Sequence, residues 1–263
     1  MRKKKSRYNI NGMILCGLVF FAIAGTAVCM VANGKEAAVE REKAEAERKE
    51  QEAKTAEEEA AEKAAKEAEK KRAEASSIQP GVPIGTQEPN AEEKVVYLTF
   101  DDGPSANTEK ILDILEQYDA KATFFITGMR EEYRPLIKTA YEEGHTIGLH
   151  TYSHDYAGVY SSVDAYFEDL DKIGKVAEEQ IGYVPCFIRF PGGSSNAVSK
   201  KYTQGIMTEL VTDVQEKGYQ YYDWNLDSGD GAGQSVEELE TNSMTDRFHH
   251  VMLLLHDSQS KEN

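Results

Sequence analysis

Two adjacent carboxylates, Asp101 and Asp102, follow directly on the apolar run Val95–Phe100. Neighbouring carboxylates repel each other and have no packing role after a buried strand, so they either cap the next helix through an Asp-Gly-Pro turn or do chemistry. Further on, His150 and His154 stand four residues apart. On one helical turn that spacing lets both imidazoles reach a single divalent ion, although such a pair alone is weak evidence. Arg189 opens Arg189-Phe190-Pro191-Gly192-Gly193, a cation followed by a turn with free backbone N–H groups. Asp223-Trp224-Asn225 and Leu254-Leu255-His256-Asp257 come later. A carboxylate and two imidazoles make a three-ligand metal site that leaves room for water. The other carboxylate can take a proton from that water, a third histidine can protonate a leaving group, and free N–H groups can hold an oxyanion. This set suits metal-assisted hydrolysis. No G-x-S-x-G elbow is present, which leaves a serine-hydrolase mechanism little support.

All five stations lie at the ends of apolar runs that read as strands. The strands are expected at Val95–Phe100, Ala122–Thr127, 146–149, 186–190, 219–224 and 251–255. Helical periodicity is expected around Ile111–Leu115 and across 131–143, 163–180, 203–217 and 235–247. Strands alternating with helices predict an α/β fold with a mainly parallel sheet, whose chemistry gathers at the C-terminal ends of the strands.

TFDDG (99–103), HTYSH (150–154), RFPGG (189–193), YDW (222–224) and LLHD (254–257) resemble, in order, the five motifs of the polysaccharide deacetylases, the NodB-type domain of carbohydrate esterase family 4. The resemblance covers about residues 94–257 and implies a distorted (β/α) barrel. By this resemblance Asp101 would be the base, and Asp102, His150 and His154 the ligands of a divalent metal, most simply zinc. Arg189 would pair with Asp101 and keep it ionised, and the Gly192 N–H would serve the oxyanion hole. Asp223 would orient and charge His256, the general acid, while Trp224 and Leu254 would line the pocket for the acetyl methyl. Members of that family carry a further helix and strand after the last motif, whereas this chain ends six residues past Asp257. The expectation is a barrel open on one edge, or an incomplete reading frame. His145, His249 and His250 match no station and are read as structural or solvated.

The N-terminal third is of a different kind. Arg2, Lys3, Lys4, Lys5 and Arg7 precede Met13–Ala32, a twenty-residue run without a charge, long enough for the roughly 30 Å hydrocarbon core. The reading is a retained membrane anchor with residues 1–12 in the cytoplasm and the rest exported, rather than a cleaved signal peptide, whose apolar region is about 7–15 residues. A lipoprotein site at Cys29 is disfavoured because Val28 occupies the place of a small residue. Residues 35–75 are almost wholly Ala, Glu, Lys and Arg, with only Val39 apolar enough for a coiled-coil seam, so a lone helical stalk is expected. Residues 76–94 hold three prolines and read as a linker to a domain at 95–263.

Residues 1–94 hold 17 basic and 17 acidic residues, so the net charge of −16 falls entirely on the remainder. That surface repels phosphate backbones and excludes nucleic acid as a partner. With two of the three cysteines in the apolar run, no intrachain disulfide is expected in the folded domain. The leading expectation is a membrane-tethered enzyme that removes N-acetyl groups from a cell-wall glycan, peptidoglycan first, with no obligate protein partner. An O-acetyl esterase on xylan or a similar glycan, and a non-catalytic wall-binding scaffold, are the competing readings.

Overall fold

The computed structural model describes the backbone of residues 10–78 and 93–258, and side chains from residue 40 onward. The side chains of the basic segment 1–12 and of the Met13–Ala32 run therefore lie outside the described residues, as does 79–92 of the linker. Among the described residues, no helix is long and apolar enough to cross a membrane. The chain divides into two compact units, Met1–Lys70 and Lys71–Asn263.

One helix, α1, runs over Ile10–Ser76. Its charged stretch forms the i,i+4 ion pairs that the spacing implies, among them Glu45–Lys49 and Glu50–Lys54, both at 2.8 Å, and Glu62–Lys66. Each is exposed and adds about 0.3–0.5 kcal/mol.

The second unit is built on seven parallel strands: β1 (Val95–Asp101), β2 (Ala122–Ile126), β3 (Thr146–Leu149), β4 (Phe187–Ile188), β5 (Gln220–Tyr221), β6 (Leu226–Asp227) and β7 (His250–His256). Their order is β5-β4-β3-β2-β1-β7-β6, so two strands consecutive in sequence occupy opposite edges. In a flat sheet six inter-strand spacings would separate those edges by roughly 29 Å. The stretch from Tyr221 to Leu226 reaches at most about 18 Å when fully extended. The sheet must therefore curl, and it forms an incomplete barrel.

Helices cover the outside. They are α2 (Thr108–Gln117), α3 (Pro135–Glu142), α4 (Tyr156–Val159), α5 (Val163–Ile181), α6 (Ile206–Glu216) and α7 (Val236–Asn242). Tyr166, Leu170, Ile173 and Ala177 on α5, with Ile206, Leu210 and Val214 on α6, form buried stripes at helical spacing. They join Phe124, Ile147, Leu149 and Ile188 of the strands in one core. Each large apolar side chain so buried contributes about 1.5–3 kcal/mol. Ser162 caps α5, accepting from Ala165 N, and Gly182 closes it at φ 83°.

Several elements differ from the sequence expectation. The strands at 186–190 and 219–224 shrink to two paired residues each, and β6 is a seventh strand too short to show any period. The helix expected across 131–143 starts as a 3-10 turn at Glu131–Tyr133, and α3 begins only at Pro135, whose fixed φ suits a first helical position. The helix expected at 235–247 stops at Asn242. Residues read as the stalk end and linker start belong with the folded unit. Arg72 lies 3.9 Å from the centre of the Tyr141 ring and donates to the carbonyls of Tyr141 and His145, while Cys186 N donates to Ser76 O at 2.7 Å.

Candidate metal and acid–base site

The residues after β1, β3, β4, β6 and β7 converge at the C-terminal mouth of the sheet. Asp101 ends β1, and Asp102 follows in a left-handed conformation at φ 72°. Thr151 and His154 are left-handed as well, at φ 67° and 49°. Non-glycine residues rarely adopt this region, and such strain clusters at functional sites. His150 and His154 are thus brought together by an irregular loop, not by the helical turn that their spacing suggests. The Asp169 carboxylate on α5 fixes that loop, accepting from Tyr152 N at 2.6 Å and Ser153 N at 3.0 Å.

Asp102, His150 and His154 offer ligand atoms that all lie within 4.8 Å of one another. Asp102 Oδ1 is 3.7 Å from His150 Nε2 and 3.5 Å from His154 Nε2. That oxygen is buried and has no hydrogen-bond partner, an arrangement a cation would satisfy. His150 Nδ1 donates to Arg189 O at 2.8 Å, which leaves the Nε2 lone pair facing Asp102. Burial, reinforced by neighbouring His154, lowers the His150 pKa to about 3, so the ring is neutral, as a ligand must be. The three residues fit a divalent ion.

Asp101 is placed differently. Its Oδ1 accepts from Arg189 Nη1 at 2.9 Å, while Oδ2 lies 3.7 Å from His150 Nε2. Burial pushes its pKa above the ordinary carboxylate range, against the pull of Arg189 and then His256. A carboxylate so raised takes up a proton more readily than an ordinary aspartate does. Arg189 itself is wholly buried. It donates to Thr99 Oγ1, Asp101 Oδ1, Tyr222 O and Asp223 O, and its guanidinium lies over Phe125 at 4.3 Å and Trp224 at 5.6 Å.

The partner of His256 corrects the sequence expectation. Its Nδ1 donates to Asp230 Oδ1 at 2.7 Å, and its backbone N donates to Asp230 Oδ2 at 2.6 Å. Asp223, which was expected there, instead accepts from the backbone N and the hydroxyl of Ser194, so it braces the Gly192–Gly193 turn. Sheet order is the reason. β6 pairs with β7, which sets the residues after it beside His256, whereas Tyr222 and Asp223 follow β5 at the far edge, next to β4. Desolvation pulls His256 down, but the hydrogen bond and charge of Asp230 outweigh it and the pKa is raised. The sequence signal for Asp230 was Asp227-Ser228-Gly229-Asp230, an acid-bearing turn after an apolar residue, but it followed no recognisable strand.

The remaining stations are also accounted for. Gly192 is exposed at φ 76°. Trp224 packs against Gly193, whose Cβ would come 3.2 Å from the indole. Leu254 is buried two residues before His256, on the same face of β7. Asp257 ties β7 to the β1 loop. Its carboxylate accepts from Ser105 Oγ and Thr108 Oγ1, both at 2.6 Å, and a Cβ on Gly103 would come within 2.4 Å of it. His145 is a core residue whose Nδ1 accepts from Ala122 N at 3.2 Å. Burial, then Lys121, lowers its pKa to about 4.

A curled parallel sheet with a three-ligand group, a buried carboxylate and a carboxylate-held imidazole at its C-terminal mouth defines an α/β barrel whose site is equipped for hydrolytic chemistry. The polysaccharide deacetylase profile matches residues 88–210. A peptidoglycan-N-acetylglucosamine deacetylase of Bacillus cereus is 33% identical over 69% of this chain and 68% of its own length, and a second one is 37% identical over 65% and 76%. The chain belongs to the polysaccharide deacetylase family. Among solved structures, the catalytic domain of a peptidoglycan N-acetylglucosamine deacetylase from Eubacterium rectale superposes with a TM-score of 0.64 at 41% identity, covering 68% of this chain and 82% of that one. A Bacillus cereus polysaccharide deacetylase gives 0.52 at 31%, over 63% and 80%. The chain spans 55–76% of the length of four curated relatives.

Proposed function

We propose that this chain is a metal-dependent hydrolase that removes N-acetyl groups from amino sugars of peptidoglycan, with N-acetylglucosamine the favoured sugar. The observation that carries the reading is the partnerless buried oxygen of Asp102 facing His150 and His154, with a base and a carboxylate-held histidine close by. The names of the relatives support the glycan and the sugar. A divalent ion bound there supplies a Lewis acid that makes a water more acidic and polarises the acetyl carbonyl. Asp101 takes the proton of the attacking water on Oδ2, the oxygen that Arg189 leaves free. The Gly192 N–H donates to the oxygen that becomes negative. His256, with Nδ1 committed to Asp230, presents Nε2–H to the departing nitrogen. An amine leaves poorly unless protonated, so the Asp230–His256 pair favours an amide substrate over an O-acetyl ester.

Acetate release from N-acetylated peptidoglycan is the test. Metal-loaded full-length protein should release acetate, a chelator should stop the release, and added zinc should restore it. Turnover that survives the chelator would remove the metal from the scheme, and release from acetylxylan alone would replace the substrate.

The same reading sets the enzyme on the outer face of the cell membrane, held by Met13–Ala32. The protein should then fractionate with membranes, and external protease should free an active fragment smaller than the 29.3 kDa chain. Recovery of a shortened form from the medium alone would identify the run as a cleaved leader.

A further inference from the structure

The turn that offers its N–H to an oxyanion has a second polar group against it. A Cβ added to Gly192 would come 2.7 Å from the hydroxyl oxygen of Tyr156, so only glycine admits the phenol this closely. The Tyr156 ring stands edge-on to the His154 imidazole, with ring centres 5.7 Å apart. On its other side it packs edge-on to Tyr160 at 5.6 Å, and Tyr160 donates its hydroxyl to Pro191 O at 2.7 Å. One aromatic pair therefore braces the Pro191–Gly192 turn and delivers a phenol between that turn and a ligand histidine. The ring is half-buried.

We infer that the Tyr156 hydroxyl is a second donor to the acetyl oxygen, acting beside the Gly192 N–H as that oxygen becomes an oxyanion. The inference rests on the deacetylase reading of the site. The acetyl oxygen must come within hydrogen-bond reach of Gly192 N and close to the His154 side of the mouth. The Tyr156 hydroxyl lies against Gly192, and its ring lies against the His154 imidazole. A neutral phenol donates without adding charge, and its bond strengthens as the carbonyl oxygen gains charge, so the effect belongs to the transition state.

Tyr156→Phe keeps the ring and its packing on His154 and Tyr160 and removes only the donor. The full-length variant should hold the same metal content and melting temperature as the wild type. Its kcat should fall about 10²-fold, the order for loss of one oxyanion donor, with KM little changed. A methylphosphonamidate analogue of an N-acetylglucosamine oligomer, tetrahedral and anionic at the reacting centre, should bind the variant more weakly by about the same factor. An unchanged kcat overturns the inference, as does an equal loss of affinity for substrate and analogue, which would make the hydroxyl a contact to the sugar. Wild-type protein that neither releases acetate nor binds the analogue overturns the deacetylase reading, and this inference with it. Active wild type beside an equally active variant overturns this inference alone.

Discussion

Asp101→Asn protein should retain its metal and lose nearly all turnover, while Asp102→Ala protein should lose the metal itself. The two carboxylates are neighbours in sequence, but their surroundings differ. Asp102 turns a buried, partnerless oxygen toward two imidazole nitrogens, and Asp101 commits one oxygen to Arg189. Removing Asp102 leaves two imidazoles, and the loss of affinity should exceed the roughly 10–100-fold typical of an outer-shell partner. Asparagine at position 101 preserves shape and an acceptor for Arg189 but cannot take a proton from water. Loss of a general base costs about 10²–10⁴-fold. The Arg189 hydrogen bond should also weaken, because a buried guanidinium exchanges a charged acceptor for a neutral one. Metal analysis, acetate release and thermal melting on both variants decide the matter. An active Asp101→Asn protein would remove the base from the mechanism, and a metal-free one would mean that the pair shares the ligand role.

His256→Ala should lower turnover by about 10²–10⁴-fold with metal content unchanged, because the amine then departs without a proton. Asp230→Asn tests how that proton is held. In the folded protein the Asp230 bond and charge raise the His256 pKa above the ordinary histidine value, against the pull of burial. The acid form therefore persists to higher pH, and the alkaline limb of the rate profile should lie above that value. With asparagine at position 230 the downward pull of burial stays, the charge of Asp230 is lost, and of the upward influences the charges of Asp102 and Asp101 remain, so the limb should move to lower pH. Stability follows the same sign. The contribution of His256 is fully present below the ordinary histidine pKa and is lost as pH rises through the raised one. Asp223→Asn should leave the alkaline limb in place, since Asp223 touches Ser194 and not His256. A limb that moves with Asp223 rather than Asp230 would reverse the assignment, and loss of metal from His256→Ala would make His256 a ligand.

Much of this protein was legible in its residues because the relevant signals are local. A buried strand announces itself by its apolar run, so Val95–Phe100, Ala122–Thr127 and 251–255 were placed close to β1, β2 and β7. Whatever follows such a run must emerge at the sheet's C-terminal mouth. Asp101, Asp102, His150, Arg189 and His256 were therefore legible as neighbours in space, together with the alternation that makes the sheet parallel. Partner choice was not legible, because it depends on which strand lies beside which. Tyr221 and Leu226 are five residues apart, yet they lie on opposite edges of the sheet. Asp223 consequently serves the Gly192 turn while Asp230 serves His256. A two-residue strand such as β6 carries no period to read, and only its pairing with β7 gives it a position. The left-handed backbone at Asp102, Thr151 and His154 is likewise invisible in residue types that adopt it at only a minority of positions. Tertiary contacts impose it, among them the grip of Asp169 on the Thr151–His154 loop, and that grip is what turns a spacing of four into a common focus.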